Sequence, residues 1–189
     1  MPRTSDKRER LLKAGGRLIH SKGYLATTLS DIAAASGVPL GNVYYHFRSK
    51  ENLLDAVVQE QQDDFRNRVA RFEVEPSPQA RLSAFLDSVI ESRVSITRHG
   101  CPVGSLSQEM NKRGGVSRAK VNQGLIARVE WVSSQFREMG RSDAQELGIW
   151  MIGSVQGVIL MANALDDPSV IERQIGQLKA WVQSFESAD

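Results

Sequence analysis

The sequence predicts an all-α protein of about nine helices, a small helix-turn-helix domain in front of a larger helical one. Three observations lead there. Apolar residues recur at three- and four-residue spacing along most of the 189 residues. Stretches rich in Gly, Pro, Ser and charge, "SKGY", "EVEPSPQ", "RHGCPVG", "NKRGG", "GRSD" and "DDPS", cut that pattern into segments of helical length. No convincing strand or repeat interrupts the series.

The elements follow in order. Leu11, Ala14, Gly15, Leu18 and Ile19 place one amphipathic helix near residues 5–21, which "SKGY" ends. Thr28 followed by Asp31 has the spacing of a capping box, and Leu29, Ile32 and Ala33 give the next helix one buried stripe. Gly37 suits the left-handed position that closes it. Pro39 fits the first turn of a third helix, where its missing N–H has no intrahelical partner, and Val43 and Phe47 form that helix's inner face. Short helix, glycine turn and short helix make the helix-turn-helix pattern.

A charged helix then runs from Lys50 to about Phe72, with Leu53, Leu54, Val57, Val58 and Phe65 as its apolar positions. Helical spacing resumes with Leu82, Phe85, Leu86, Val89 and Ile90, and a short helix covers 103–111. Val121, Leu125, Val129, Val132, Phe136 and Met139 mark the next. The long apolar segment 143–164 is punctured by Gln156 and Asn163, so it reads as a buried helix and not as a membrane span. Ile171, Ile175, Leu178, Val182 and Phe185 form the seam of the last one. Domains of residues 1–50 and 51–189 result.

Charge separates the same two parts. Residues 1–50 hold nine Lys or Arg against three acids, a balance of +6, while the rest holds fifteen against nineteen, a balance of −4. A polyanion partner is expected for the front segment. The N-terminus lacks the apolar core of a secretory signal, so a cytoplasmic location is expected. A single cysteine excludes an intramolecular disulfide framework, and Cys and His are too scattered for a zinc site; no metal or cofactor is expected.

The stretch "TTLSDIAAASGVPLGNVYYHFRSKENLLDAV", residues 27–57, resembles the TetR family of one-component bacterial transcriptional regulators. The resemblance implies a three-helix DNA-binding domain, a larger domain that holds a small-molecule inducer, and a homodimer built by the last two helices. It also implies site residues. Tyr44, His46 and Lys50 would touch phosphates, Leu40, Gly41, Asn42 and Tyr45 would lie along base edges, and Thr28 would join the DNA-binding set. Pro39 and Leu40 depart from the Ser or Thr and the Lys that many members carry, so one phosphate donor is missing and Leu40 is free to meet a thymine methyl. The function expected is a ligand-responsive repressor that binds a palindromic operator as a dimer, with no enzymatic activity.

Met110, Trp131, Trp150 and Met151 are candidates for the ligand pocket, since thioethers and indoles suit apolar ligands; core packing explains them equally well. Gly148, Gly153 and Gly157 suggest close helix approach, at a pocket or a dimer seam. The dimer is expected through residues 143–186, with Ile175 and Leu178 in its interface. "GCPVGSLSQEM", residues 100–110, looks like a segment in a subgroup of these regulators, some of which sense electrophiles or oxidants through a cysteine there. Cys101 is therefore a redox candidate, with a small buried hydrophobe as the plainer reading. Catalysis finds no support: only His99 lies near Cys101 in sequence, and the pairs Asp63, Asp64 and Asp166, Asp167 look like a solvated face and a helix cap.

Overall fold

The computed structural model describes residues 4–115 and 117–185. Among them it has ten α-helices and no strand: α1 (Thr4–Lys22), α2 (Leu29–Ser36), α3 (Leu40–His46), α4 (Lys50–Phe72), α5 (Pro78–Glu91), α6 (Arg93–His99), α7 (Pro102–Arg113), α8 (Arg118–Glu138), α9 (Ala144–Leu165) and α10 (Ser169–Gln183). Counted with α5 and α6 as one broken helix, these are the nine expected. The break falls at Ser92, whose φ of −87° and ψ of 0° interrupt a run that neither Gly nor Pro marks.

The chain forms two compact units. The first comprises Met1–Asp63 and Ser105–Gly124, the second Asp64–Gly104 and Leu125–Asp189. A single division at residue 50 does not describe this packing, because α4, α7 and α8 each carry residues of both units.

In the first unit, Leu11, Ala14 and Ile19 of α1 close over Ile32, Val43, Phe47, Leu53, Leu54 and Val57. Leu106, Met110 and Val121 complete that core from α7 and α8. Gly15 lets α1 approach α4: a Cβ there would stand 2.7 Å from Leu53 Cδ2. Burying one Leu-sized side chain stabilises by roughly 1.5–3 kcal/mol, so the contribution from beyond residue 104 is substantial.

In the second unit, α10 packs on α5 and α9, around Leu82, Phe85, Leu86, Phe136, Met151, Ile152, Val155, Ile171 and Ile175. Here the structure corrects the expected interface. Ile175 is fully buried and Leu178 is 7% exposed within the protomer, so the α10 seam faces the unit's own core and not a second chain. The periodicity marked buried positions rightly and their partner wrongly.

Helix α9 has two faces. Ala144, Gly148, Met151, Ile152, Val155, Ile159 and Ala162 are buried. On the opposite face Ile149, Trp150, Leu160, Met161 and Leu165 are all exposed, with open space above Gly153 and Gly157. The three glycines thus divide: Gly148 alone serves a close approach, since a Cβ there would lie 3.1 Å from the Ser133 backbone nitrogen. By length and composition alone α9 is apolar enough to cross a bilayer, a test that a core helix also passes.

Candidate DNA-binding interface

The interface starts with how the chain opens and closes α2. Thr28, extended at φ −110°, accepts the Asp31 N–H on its hydroxyl at 3.1 Å, and the Thr28 N–H donates to Asp31 Oδ2 at 3.0 Å. That reciprocal box holds the Asp31 carboxyl below its usual range, chiefly through the Thr28 N–H, and replacing such a cap typically costs about 1 kcal/mol. Gly37 ends the helix at φ 64°, ψ 26°, where the Val38 N–H reaches back to the Ala33 carbonyl at 3.2 Å. Arg10 of α1 donates to the Ser36 carbonyl and fills the space a Cβ at Gly37 would need.

Pro39 is the N-cap of α3 and not a residue of its first turn, because its ψ of 140° is extended; the helix begins one residue later, at Leu40. Val43 and Phe47 are buried at 0% and 3%, which pins α3 to the core at its middle and at its C-terminal end. The residues between face out. Leu40, Gly41, Tyr44 and Tyr45 are exposed, Tyr45 at 77%, while Asn42 and His46 are half-buried. The rings of Tyr45 and His46 meet edge to face with centroids 5.1 Å apart. An isolated seven-residue helix would be marginal in water, so these two anchors are what present its outer face as a fixed surface.

The Lys50 side chain is turned inward. Its ammonium lies 4.3 Å from the Tyr24 ring centroid and donates to the Leu25 carbonyl at 3.2 Å. Desolvation, with the Arg113 charge behind it, pushes the Lys50 ammonium below its usual pKa, and Glu109, Glu51 and Asp31 pull in the other direction. Substituting Lys50 would therefore remove loop support as well as a charge.

A glycine-closed pair of short helices with the second presented outward is the geometry that inserts a recognition helix into a major groove. The family model for bacterial regulatory proteins, tetR family, matches residues 11–57, the segment that builds this surface. The HTH-type transcriptional regulator LmrA of Bacillus subtilis (strain 168) is 32% identical over 166 residues, spanning 83% of this chain and 86% of that protein. The chain belongs to the TetR family. It is a DNA-binding transcriptional regulator with a helix-turn-helix domain. The HTH-type transcriptional repressor DhaR of Mycobacterium sp. (strain GP1) is 30% identical over 116 residues, 60% of this chain and 57% of that one. The fold itself matches a TetR transcriptional regulator from Legionella pneumophila at a TM-score of 0.84 and 22% identity, over 98% of this chain and 99% of that chain.

The ligand candidates of this TetR regulator divide between the two units. Met110 packs in the core of the first. In the second unit Trp131 stands among Phe65, Phe72 and Phe85, with ring centroids 5.6–6.5 Å away, and donates its indole N–H to Glu73 at 3.0 Å. Met151 is fully buried, whereas Trp150 is half exposed and meets Trp181 at a tilt, with ring centroids 4.5 Å apart. Met151 and Trp131 thus belong to the interior and Trp150 to the outer face of α9.

Cys101, half-buried, precedes α7 and its sulfur accepts the Gly104 N–H at 3.3 Å and the Gln156 amide at 3.5 Å. Arg128 lies nearby, with its guanidinium 4.3 Å above the Phe65 ring; burial holds its pKa below the usual value. Sequence reasoning missed Arg128, Gln156 and Glu109, whose side chains act on partners 27 to 85 positions distant. No local spacing rule reports such pairs.

Proposed function

We propose that the protein is a cytoplasmic, ligand-responsive repressor that binds a palindromic operator as a homodimer and leaves it when a small molecule occupies the second unit. The observation that carries this reading is the outward face of α9. Ile149, Trp150, Leu160, Met161 and Leu165 form one exposed apolar stripe of the kind that marks a contact surface, and the bare Gly153 and Gly157 between them allow a second helix to come close. A twofold pairing there presents two α3 helices, and a symmetric protein reads a symmetric site with half-sites ~34–36 Å apart. The repressor named among the relatives supports the sign of regulation, and the aromatic interior around Phe65, Phe72, Phe85 and Trp131 suits an apolar ligand. To reverse a 1:99 preference, that ligand must favour the released state by about 5.5 kcal/mol.

Base reading falls to Leu40, Gly41, Asn42 and Tyr45, positioning to Thr28, Tyr44, His46 and Lys50. Selection of genomic fragments by the purified protein tests this directly: inverted repeats are expected, and recovery of lone half-sites would overturn the dimeric reading. Asn42→Ala then sharpens the assignment. A bidentate contact between Asn42 and an adenine edge is worth about 1–3 kcal/mol against the wrong base. The variant should bind the selected operator and its single-base mutants at one adenine equally; an undiminished preference at every position removes Asn42 from base reading.

A second signal is favoured by one contact. Cys101 bonds to Gln156 of α9, the helix whose other face carries the proposed interface, so modifying that sulfur would disturb α9 directly. Mild peroxide or a thiol alkylator is expected to release DNA from the wild type and leave Cys101→Ser bound. Equal release of both would return Cys101 to a packing role.

A further inference from the structure

We infer that Glu109 is a positioning residue for DNA binding: its carboxylate clamps the loop between α1 and α2 and so sets where the helix-turn-helix begins. All the groups concerned lie in the first unit. After Gly23, which turns at φ 85°, two consecutive backbone N–H groups point at one side chain. The Tyr24 N–H donates to Glu109 Oε2 at 2.8 Å and the Leu25 N–H to Oε1 at 2.6 Å. A carboxylate that takes two adjacent main-chain donors is charge-assisted on both oxygens and fixes direction as well as distance.

The rest of the loop is engaged as fully. The Thr27 hydroxyl donates to the Gly23 carbonyl at 2.7 Å, the Thr27 N–H to the Tyr24 carbonyl at 3.2 Å, and Lys50 to the Leu25 carbonyl. The Tyr24 ring, fully buried, lies between the Lys50 ammonium and the Arg113 guanidinium, 5.4 Å away, and its hydroxyl donates to Glu51 at 3.3 Å. Burial, with the Glu51 charge next, raises the Tyr24 pKa, so the hydroxyl stays a donor. Lys50 and Glu51 belong to α4, but Glu109 and Arg113 belong to α7, about sixty residues further along the chain. Three residues after Leu25 comes Thr28, the cap of α2, and α3 follows from α2 through Gly37. A loop held by backbone bonds leaves Thr28 little freedom, and the orientation of α3 inherits that restriction.

The test uses the full-length protein with Glu109→Ala and Glu109→Gln, amide hydrogen exchange resolved at single residues, and affinity for the operator duplex recovered by genomic selection. Losing a bond to a charged acceptor corresponds to about tenfold or more in local opening. In Glu109→Ala, exchange at Tyr24 and Leu25 should accelerate by at least about tenfold while Leu53 and Val57 amides keep their protection, and operator affinity should fall. Glu109→Gln retains one carbonyl oxygen and should recover part of both. If Glu109→Ala does not fold, Glu109→Gln alone decides, by the same selective loss at the two amides. Unchanged exchange at Tyr24 and Leu25 overturns the clamp. Acceleration spread evenly over the first unit, or selective acceleration with unaltered affinity, overturns the positioning role.

Discussion

Replacing Leu160 or Met161 by glutamate is expected to convert the proposed dimer into a monomer and to lower operator affinity by about 10²–10⁴-fold, the gain that two linked half-site contacts supply over one. Both side chains are more than half exposed in the protomer, Leu160 at 62% and Met161 at 51%. A carboxylate there is solvated in the monomer and costs the fold little. At a twofold interface the same group meets its own copy in an apolar surround, unpaired and stripped of water. Sedimentation equilibrium reads the assembly, and a thermal melt of the variant checks that the protomer remains folded. A variant that sediments as a dimer and binds the operator like the wild type would put the interface on another surface.

Ile175→Glu should behave in the opposite way: the second unit unfolds. Ile175 is wholly buried in the core that α5, α9 and α10 build, so an introduced carboxylate would be stripped of water. The milder Ile175→Ala leaves a cavity and should cost about 2–5 kcal/mol in urea-induced unfolding, while the remaining folded protein still dimerises. A soluble, cooperatively folded Ile175→Glu monomer would show that the residue faces outward after all. Together the two helices separate cleanly by variant, α9 losing association and α10 losing the fold.

The contrast explains what could be read from the chain. Helical spacing along Ile171, Ile175, Leu178 and Val182 marks a buried stripe, but hydrophobic burial is non-directional, and nothing in a stripe says whether its cover is the same chain or another copy. The capping box of Thr28 and Asp31 and the left-handed Gly37 were legible because their chemistry closes within three or four residues. Val43 and Phe47 were legible for the same reason, being one helical turn apart. Met110 was not: its type suits a ligand pocket as well as a core, and only the return of α7 to the first unit decides. The inward turn of Lys50 was equally hidden, since its acceptor is a backbone carbonyl 25 residues earlier. The break at Ser92 lacks any glycine or proline to announce it, so α5 and α6 read as one.

The first unit's core is assembled from two stretches separated by forty-one residues of the second, Asp64–Gly104. That has a bearing on how the protein is made. On the ribosome, Leu11, Ile32, Val43 and Leu53 emerge before Asp64–Gly104, but Leu106, Met110 and Val121, which close over them, emerge only after it. The DNA-binding head therefore completes its core only after that intervening stretch has been made. Its nascent helices must wait with an open apolar side while α5 and α6 pass, and a message truncated anywhere before residue 121 yields a head without its lid. A reading head whose core is completed only by residues beyond α5 and α6 is not released intact by a fragment that ends before them.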